Sequence, residues 1–324
     1  MTRTKGAHAM QYSIVVPVYN EAEVLPSLYD RLTRVMSGVG EPYEIIFVND
    51  GSADESSLLL HDLQAKDERI KLLRLSRNFG HQIAITAGLD HSTGQAVVVM
   101  DADLQDPPEV ILRLIEQWRK GYDIIFAVRQ KRRGEGLFKR ATAALFYRVL
   151  RRLTATEMPL DAGDFRLMSR KAVEALKGIR ERHRFIRGLA GWIGFRQTSV
   201  FFVRDIRHAG ETKFPVKKMV RFALTGIVSF SLLPLQLAGY LGFLVSSASF
   251  LYMAYAVGLK LFTDRTVQGW TSVMVAVLFI GGVQLLSLGI VGEYIGRIYD
   301  EVKQRPLYIV DEARGFERNT PDGL

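Results

Sequence analysis

No cysteine occurs among the 324 residues, which excludes disulfides, cysteine-ligated zinc and thiol catalysis and fits a reducing compartment. No G-x-G-x-x-G follows the first strand-like run, so a dinucleotide fingerprint is absent, and the lack of G-x-x-x-x-G-K-[ST] argues against a P-loop NTPase. Residues 1–10 carry two basic side chains but no apolar run, so they read as a disordered extension and not a secretory signal. Charge itself is missing from residues 222–259 and again from 267–292. Each stretch exceeds the roughly 20 residues that cross a bilayer. The remaining charge is uneven. After Arg221 there are 7 Lys+Arg against 8 Asp+Glu, which leaves the front of the chain at net +10. Such an excess suits nucleic acid, an anionic membrane surface or phosphorylated substrates.

What the sequence does contain is alternation. Residues 12–18, 43–49, 70–75, 96–100 and 123–128 read as strands, with helical segments between them at the spacing of βαβ units. The fold class is therefore α/β, a largely parallel, doubly wound sheet. Further on, residues 169–176 and 185–192 read as helices and 197–203 as a strand. Asn20, with Glu23 three residues later, has the spacing of a helix cap, and Asp106 before Pro107 and Pro108 opens a helix running to about Lys120.

Ligands of open α/β sheets bind outside the carboxyl ends of the strands. Each of the first four strands delivers polar residues there: Asn20 and Glu21, Asn49 and Asp50, Arg77 and Asn78, then Asp101 and Asp103. Loop capping explains any one of them, and a shared pocket explains the set. Asp101 and Asp103 point the same way in an extended segment, so they can share one hard cation such as Mg²⁺ or Mn²⁺. Turn chemistry is the alternative for that pair.

A basic run follows the fifth strand. Residues 127–140 hold six Lys or Arg side chains, either a solvated loop or a funnel for an anionic acceptor. Asp164 and Arg166 fit a buried structural pair as well as catalysis. Arg204, Arg207 and Lys213 line the segment leading to the apolar stretches, and Arg204 and Lys213 are candidates for a clamp on phosphate groups. His81, His183 and His208 lack metal-ligand spacing and read as non-catalytic.

The apolar stretches imply two spans, about 232–259 and 267–292, preceded by an amphipathic interfacial helix within 214–231. Lys217, Lys218 and Arg221 on that helix suit anionic headgroups. The connecting loop, 260–266, is short, so the spans form a hairpin. More Lys and Arg flank the hairpin's outer ends than lie in its loop, which places the front part of the chain and the tail, 296–324, in the cytoplasm.

VPVYNE (16–21), VNDGS (48–52), SRNFG (76–80), DADLQDPP (101–108) and GDFRLM (163–168) together resemble the family 2 glycosyltransferases. Within them the chain is most similar to the bacterial polyprenyl-phosphate glycosyltransferases, relatives of dolichyl-phosphate mannose synthase. The likeness extends over about residues 11–310. It implies a GT-A (Rossmann-like) catalytic domain over 11–213. It implies Pro17, Tyr19, Glu21 and Asp50 around a nucleotide, and Asp101 and Asp103 on the metal and diphosphate with Gln105 beside the metal. It carries Arg129 and Arg140 over to the acceptor phosphate and Asp164 to the reacting centre. It further implies a homo-oligomer, a tetramer, in the bacterial cytoplasmic membrane.

The activity that follows is transfer of one sugar from a nucleotide-sugar to undecaprenyl phosphate, with in-line attack and inversion. Catalysis would rest on Asp103, Gln105, Arg129, Asp164 and Arg204, with Asp164 orienting the acceptor or acting as a base. UDP-glucose is the first choice of donor; a UDP-4-amino-4-deoxy-arabinose derivative, a UDP-N-acetylhexosamine and GDP-mannose are the others. The rivals are a processive polysaccharide synthase, for which two spans are few and a Q-x-x-R-W motif is missing, and a non-catalytic membrane scaffold or lipid carrier. Nucleic-acid binding accounts for the basic front but not for the spans.

Overall fold

Strands form where the apolar runs are. The computed structural model describes residues 10–130, 162–182, 184–203, 233–262 and 269–316. Arg140, Arg204, Lys213 and the interfacial helix of 214–231 lie outside the described residues. The catalytic unit begins β1 (Tyr12–Val18), α1 (Leu25–Val39), β2 (Tyr43–Asn49), α2 (Ser56–Lys66), β3 (Ile70–Leu75), α3 (His81–His91). It continues through β4 (Ala96–Val99), α4 (Val110–Arg119), β5 (Ile124–Arg129), β6 (Ala162–Ser169), α5 (Arg170–Gly178), α6 (Ile186–Trp192) and β7 (Gln197–Phe202).

β1 pairs in parallel with β2 and β4, β2 with β3, and β5 with β7. The mostly parallel sheet follows from the alternation. Two strands run the other way. β6 is antiparallel between β4 and β5, although no strand was expected at 162–169. Far along the chain, β8 (Val310–Arg314) adds antiparallel at the edge of β3. The sheet order is thus β7-β5-β6-β4-β1-β2-β3-β8.

Helices cover the sheet by their apolar stripes. On α1, Leu25, Leu28, Leu32, Val35 and Met36 recur every three or four residues and are buried. Each such side chain contributes about 1.5–3 kcal/mol on burial. α3 lies so close to β1 that a Cβ at Gly88 would stand 2.2 Å from Val15 Cγ1, which explains a glycine inside a helix. Asp106 does not cap α4: it is fully buried and receives Arg129, and the helix begins only at Val110. Asn20 does not cap α1 either. Its backbone is left-handed (φ 57°), and its Oδ1 accepts the Ala53 N–H at 2.8 Å, tying the turn after β1 to the turn after β2.

The second unit is a pair of contacting helices, α7 (Leu233–Phe262) and α8 (Trp270–Val302). At 1.5 Å per residue, α7's 30 and α8's 33 residues exceed the roughly 30 Å of a hydrocarbon core. Their apolar windows are 0% buried, with Phe243 and Leu285 each 75% exposed. Both are long and apolar enough to cross a membrane.

Candidate active site

The carboxyl ends of β1 to β4 enclose a cleft of about 380 Å³. Pro17, Tyr19, Glu21, Asp50, Asp101 and Asp103, all singled out from the sequence, line it. Asn78 and His81 complete the polar wall.

Asp50 owes its place to its neighbour. Gly51 is left-handed (φ 70°) and packs where a Cβ would lie 2.6 Å from the backbone of Arg77 and Asn78. This close approach lets the Asp50 carboxylate accept the N–H groups of Phe79 (2.7 Å) and Gly80 (2.9 Å), fixing the start of α3. Burial pushes the Asp50 carboxyl above the ordinary range, against the lowering effect of those donors.

β6 supplies the other wall. Its register pairs Val99 with Arg166, and continuing that register two residues brings Asp164 opposite Asp101. His81, the first residue of α3, stands between them, with Nε2 3.3 Å from Asp101 Oδ1 and 3.3 Å from Asp164 Oδ2. Burial lowers the His81 pKa, but the two carboxylates outweigh it and hold it up at about 10. Arg166 is fully buried and donates through Nη2 to Asp164 Oδ1 at 2.7 Å. Burial pulls its pKa down to about 10, against the support of Asp164. For Asp164 itself burial is likewise outweighed: the His81 contact and the charges of Arg166 and Arg187 keep its carboxyl well below the usual range. Its two oxygens are held by Arg166 and Gln82.

The cation question turns on Asp101. Its Oδ1 is buried and makes no aligned hydrogen bond, the His81 contact being an ion pair only. Such an oxygen, beside Asp103 on the cleft wall, fits a hard cation. Among the described residues no group of three or more His, Cys, Asp or Glu side chains could hold a metal. Two carboxylates completed by substrate phosphates are the usual arrangement for Mg²⁺. Gln105, expected beside the metal, does not line the cleft. The backbone at Leu104 is left-handed (φ 55°), the Gln105 N–H returns to Asp103 Oδ1 at 3.1 Å, and Gln105 is buried. Arg129, carried over to the acceptor phosphate, is not on the cleft wall. Its Nη2 lies 3.3 Å from Asp106 Oδ2, its side chain remains 31% exposed, and it packs across Gly163 next to Asp164.

His81, Gln82 and Arg187 were missed. His81, which reads as non-catalytic for want of metal spacing, joins the two acids. The available signal was its position directly after SRNFG at the mouth of a helix.

Residues 13–177 match the family described as Glycosyl transferase family 2, and residues 233–298 match the GtrB C-terminal hairpin. The chain is 55% identical over 308 residues to the uncharacterized glycosyltransferase YkcC of Bacillus subtilis (strain 168), covering 95% of each. It is 49% identical to the uncharacterized glycosyltransferase sll0501 of Synechocystis sp., covering 95% of this chain and 97% of the relative. To the SfII prophage-derived bactoprenol glucosyl transferase of Shigella flexneri it is 43% identical over 304 residues, covering 94% of this chain and 98% of that one.

Proposed function

The chain belongs to the family 2 glycosyltransferases, and from that membership we propose that it moves one sugar, glucose, from UDP-glucose to undecaprenyl phosphate at the cytoplasmic face of a membrane. One observation carries this reading: likeness to a bactoprenol glucosyl transferase runs through the acid cluster and the helical hairpin alike, over 94% of the chain. The hairpin supplies what a water-soluble donor and a lipid acceptor require. Residues 214–304 leave the catalytic unit, and the chain rejoins its sheet as β8. An excursion that begins and ends on one body crosses a bilayer an even number of times.

The chemistry follows from the acceptor. A phosphate monoester has a second pKa of about 6, so the attacking oxygen is anionic at neutral pH and needs no strong base. The depressed Asp164 is consistent with that. The protein's task is to bring two anions together and aim one at the anomeric carbon. Asp101 and Asp103 would hold Mg²⁺ or Mn²⁺, whose charge neutralises the departing diphosphate. Asp50 fixes the start of α3 and with it His81, Asp164 orients the acceptor side, and Arg129 steers the lipid phosphate toward attack with inversion.

Incubating the full-length protein in detergent with UDP-glucose, undecaprenyl phosphate and Mg²⁺ tests this directly. A single-sugar lipid product is expected. A polymer would indicate a processive synthase, and no metal-dependent product with any nucleotide-sugar would indicate a scaffold.

A further inference from the structure

Arg187 sits beside the reacting acids with donors that Asp164 does not use. It follows Ile186, whose N–H is fixed by Gln82 Oε1 at 3.0 Å at the start of α6. Its Nη2 is 3.9 Å from Asp164 Oδ1, outside hydrogen-bonding distance. The cause is competition. Arg166 takes that oxygen at 2.7 Å, and Gln82 Nε2 takes Oδ2 at 3.1 Å, with His81 against the same oxygen. Arg187 Nε is buried and makes no hydrogen bond, and the guanidinium lies 5.7 Å from the Phe185 ring centroid, a contact that leaves its N–H groups available. Buried donors without acceptors cost free energy until a ligand supplies them. A guanidinium fork matches phosphate oxygens.

The side on which Arg187 stands identifies the phosphate. The residues lining the nucleotide cleft come from the end of β1, the turns after β1, β2 and β4, the β3–α3 connection and the first turn of α3, and none from β5 to α6. Arg187 and Asp164 both lie outside the lining of the donor's cleft, on the β5-to-α6 part of the unit. We propose that Arg187 contacts the phosphate of the acceptor lipid, forming a phosphate subsite on the Asp164 side of the active site. This rests on a lipid phosphate being the acceptor.

The test compares wild type, Arg187→Met and Arg187→Lys as full-length proteins in detergent, by initial rates with UDP-glucose and undecaprenyl phosphate. In Arg187→Met the KM for the lipid rises about tenfold or more while the KM for UDP-glucose stays within about twofold. Arg187→Lys, which keeps the charge and loses the fork, falls between. An unchanged lipid KM overturns the proposal. A rise confined to the UDP-glucose KM also overturns it, and assigns Arg187 to the donor diphosphate. Binding of undecaprenyl phosphate alone, with no nucleotide-sugar present, repeats the comparison independently of the sugar: weaker binding by Arg187→Met supports the subsite, equal binding refutes it. Wild type that binds the lipid but transfers no glucose counts against the donor and leaves the Arg187 comparison in force. Should Arg187→Met unfold early, Arg187→Lys with a wild-type melting midpoint carries the same test.

Discussion

Carboxylates with cationic partners stand at both ends of the sheet, and those partners differ in kind. At the amino ends, fully buried Glu44 has a cation of its own, Lys71, together with the Ser13 hydroxyl and the N–H (2.8 Å) and hydroxyl (2.9 Å) of Thr93. Asp123 is matched in the same way to Lys171 at 2.9 Å and to the Ser169 hydroxyl at 3.0 Å. At the carboxyl ends the partners are shared. His81 serves both Asp101 and Asp164, and Arg166 and Arg187 crowd the same Asp164. Charge matched one to one cross-links a fold. Charge that is shared, with donors or acceptors to spare, is arranged for a ligand.

The sharpest way to break this comparison is at Asp103. Asp103→Asn should cut sugar transfer by about 10³-fold, while the full-length protein melts as wild type does. EDTA should have the same effect and added Mg²⁺ or Mn²⁺ should reverse it. Transfer at the wild-type rate in the variant, or in EDTA, would remove the assignment of Asp101 and Asp103.

Glu44→Gln should do the opposite, costing about 3 kcal/mol of stability because Lys71 is left buried without its counter-charge, with turnover per folded molecule unchanged. Burial raises the Glu44 pKa, but Lys71, Ser13 and Thr93 outweigh it and the net shift is downward. A carboxyl lowered on folding contributes stability above its unfolded value of about 4.3, and that stability is lost as pH falls. The gap in melting temperature between wild type and Glu44→Gln should therefore be full at pH 7 and narrow below about pH 4. A gap that widened in acid would contradict the pairing.

The same division governs what the residues disclosed before the structure was known. β1, β2 and β3 occupy the stretches 12–18, 43–49 and 70–75 expected from their apolar cores, because strands covered by helices carry mostly apolar residues. The polar residues at their ends were legible for the same reason, following closely on each run. β6 was not, since Asp164 and Arg166 interrupt its pattern and neutralise each other only once the strand is placed. The antiparallel register of β6 with β4 brings Asp164 to Arg187 and makes His81 a partner of two acids, a long-range fact that the local position of His81 after SRNFG only hints at. β8 (VDEAR) is charged like a solvated tail, and an edge strand can be so. The helical hairpin was plain from missing charge alone.

The smallest effect is the most discriminating within the amino-end group. Asp123 is as hidden as Glu44 by burial, 6% exposed against 0%. Its cation is not. The Lys171 side chain is 61% exposed where that of Lys71 is 13% exposed, so Lys171 is hydrated with or without its partner. An exposed pair of this kind is worth about 0–1 kcal/mol. Asparagine at 123 keeps an oxygen for the Ser169 hydroxyl, and the backbone carbonyl of residue 123 still accepts the Ser169 N–H at 2.7 Å. Asp123→Asn should therefore cost less than about 1 kcal/mol, measured by denaturing the full-length protein beside Glu44→Gln, and should leave sugar transfer untouched. Equal losses in the two variants would mean that burial of the acid sets the cost. Unequal losses, in the order argued, would mean that what matters is whether the stranded cation can reach water.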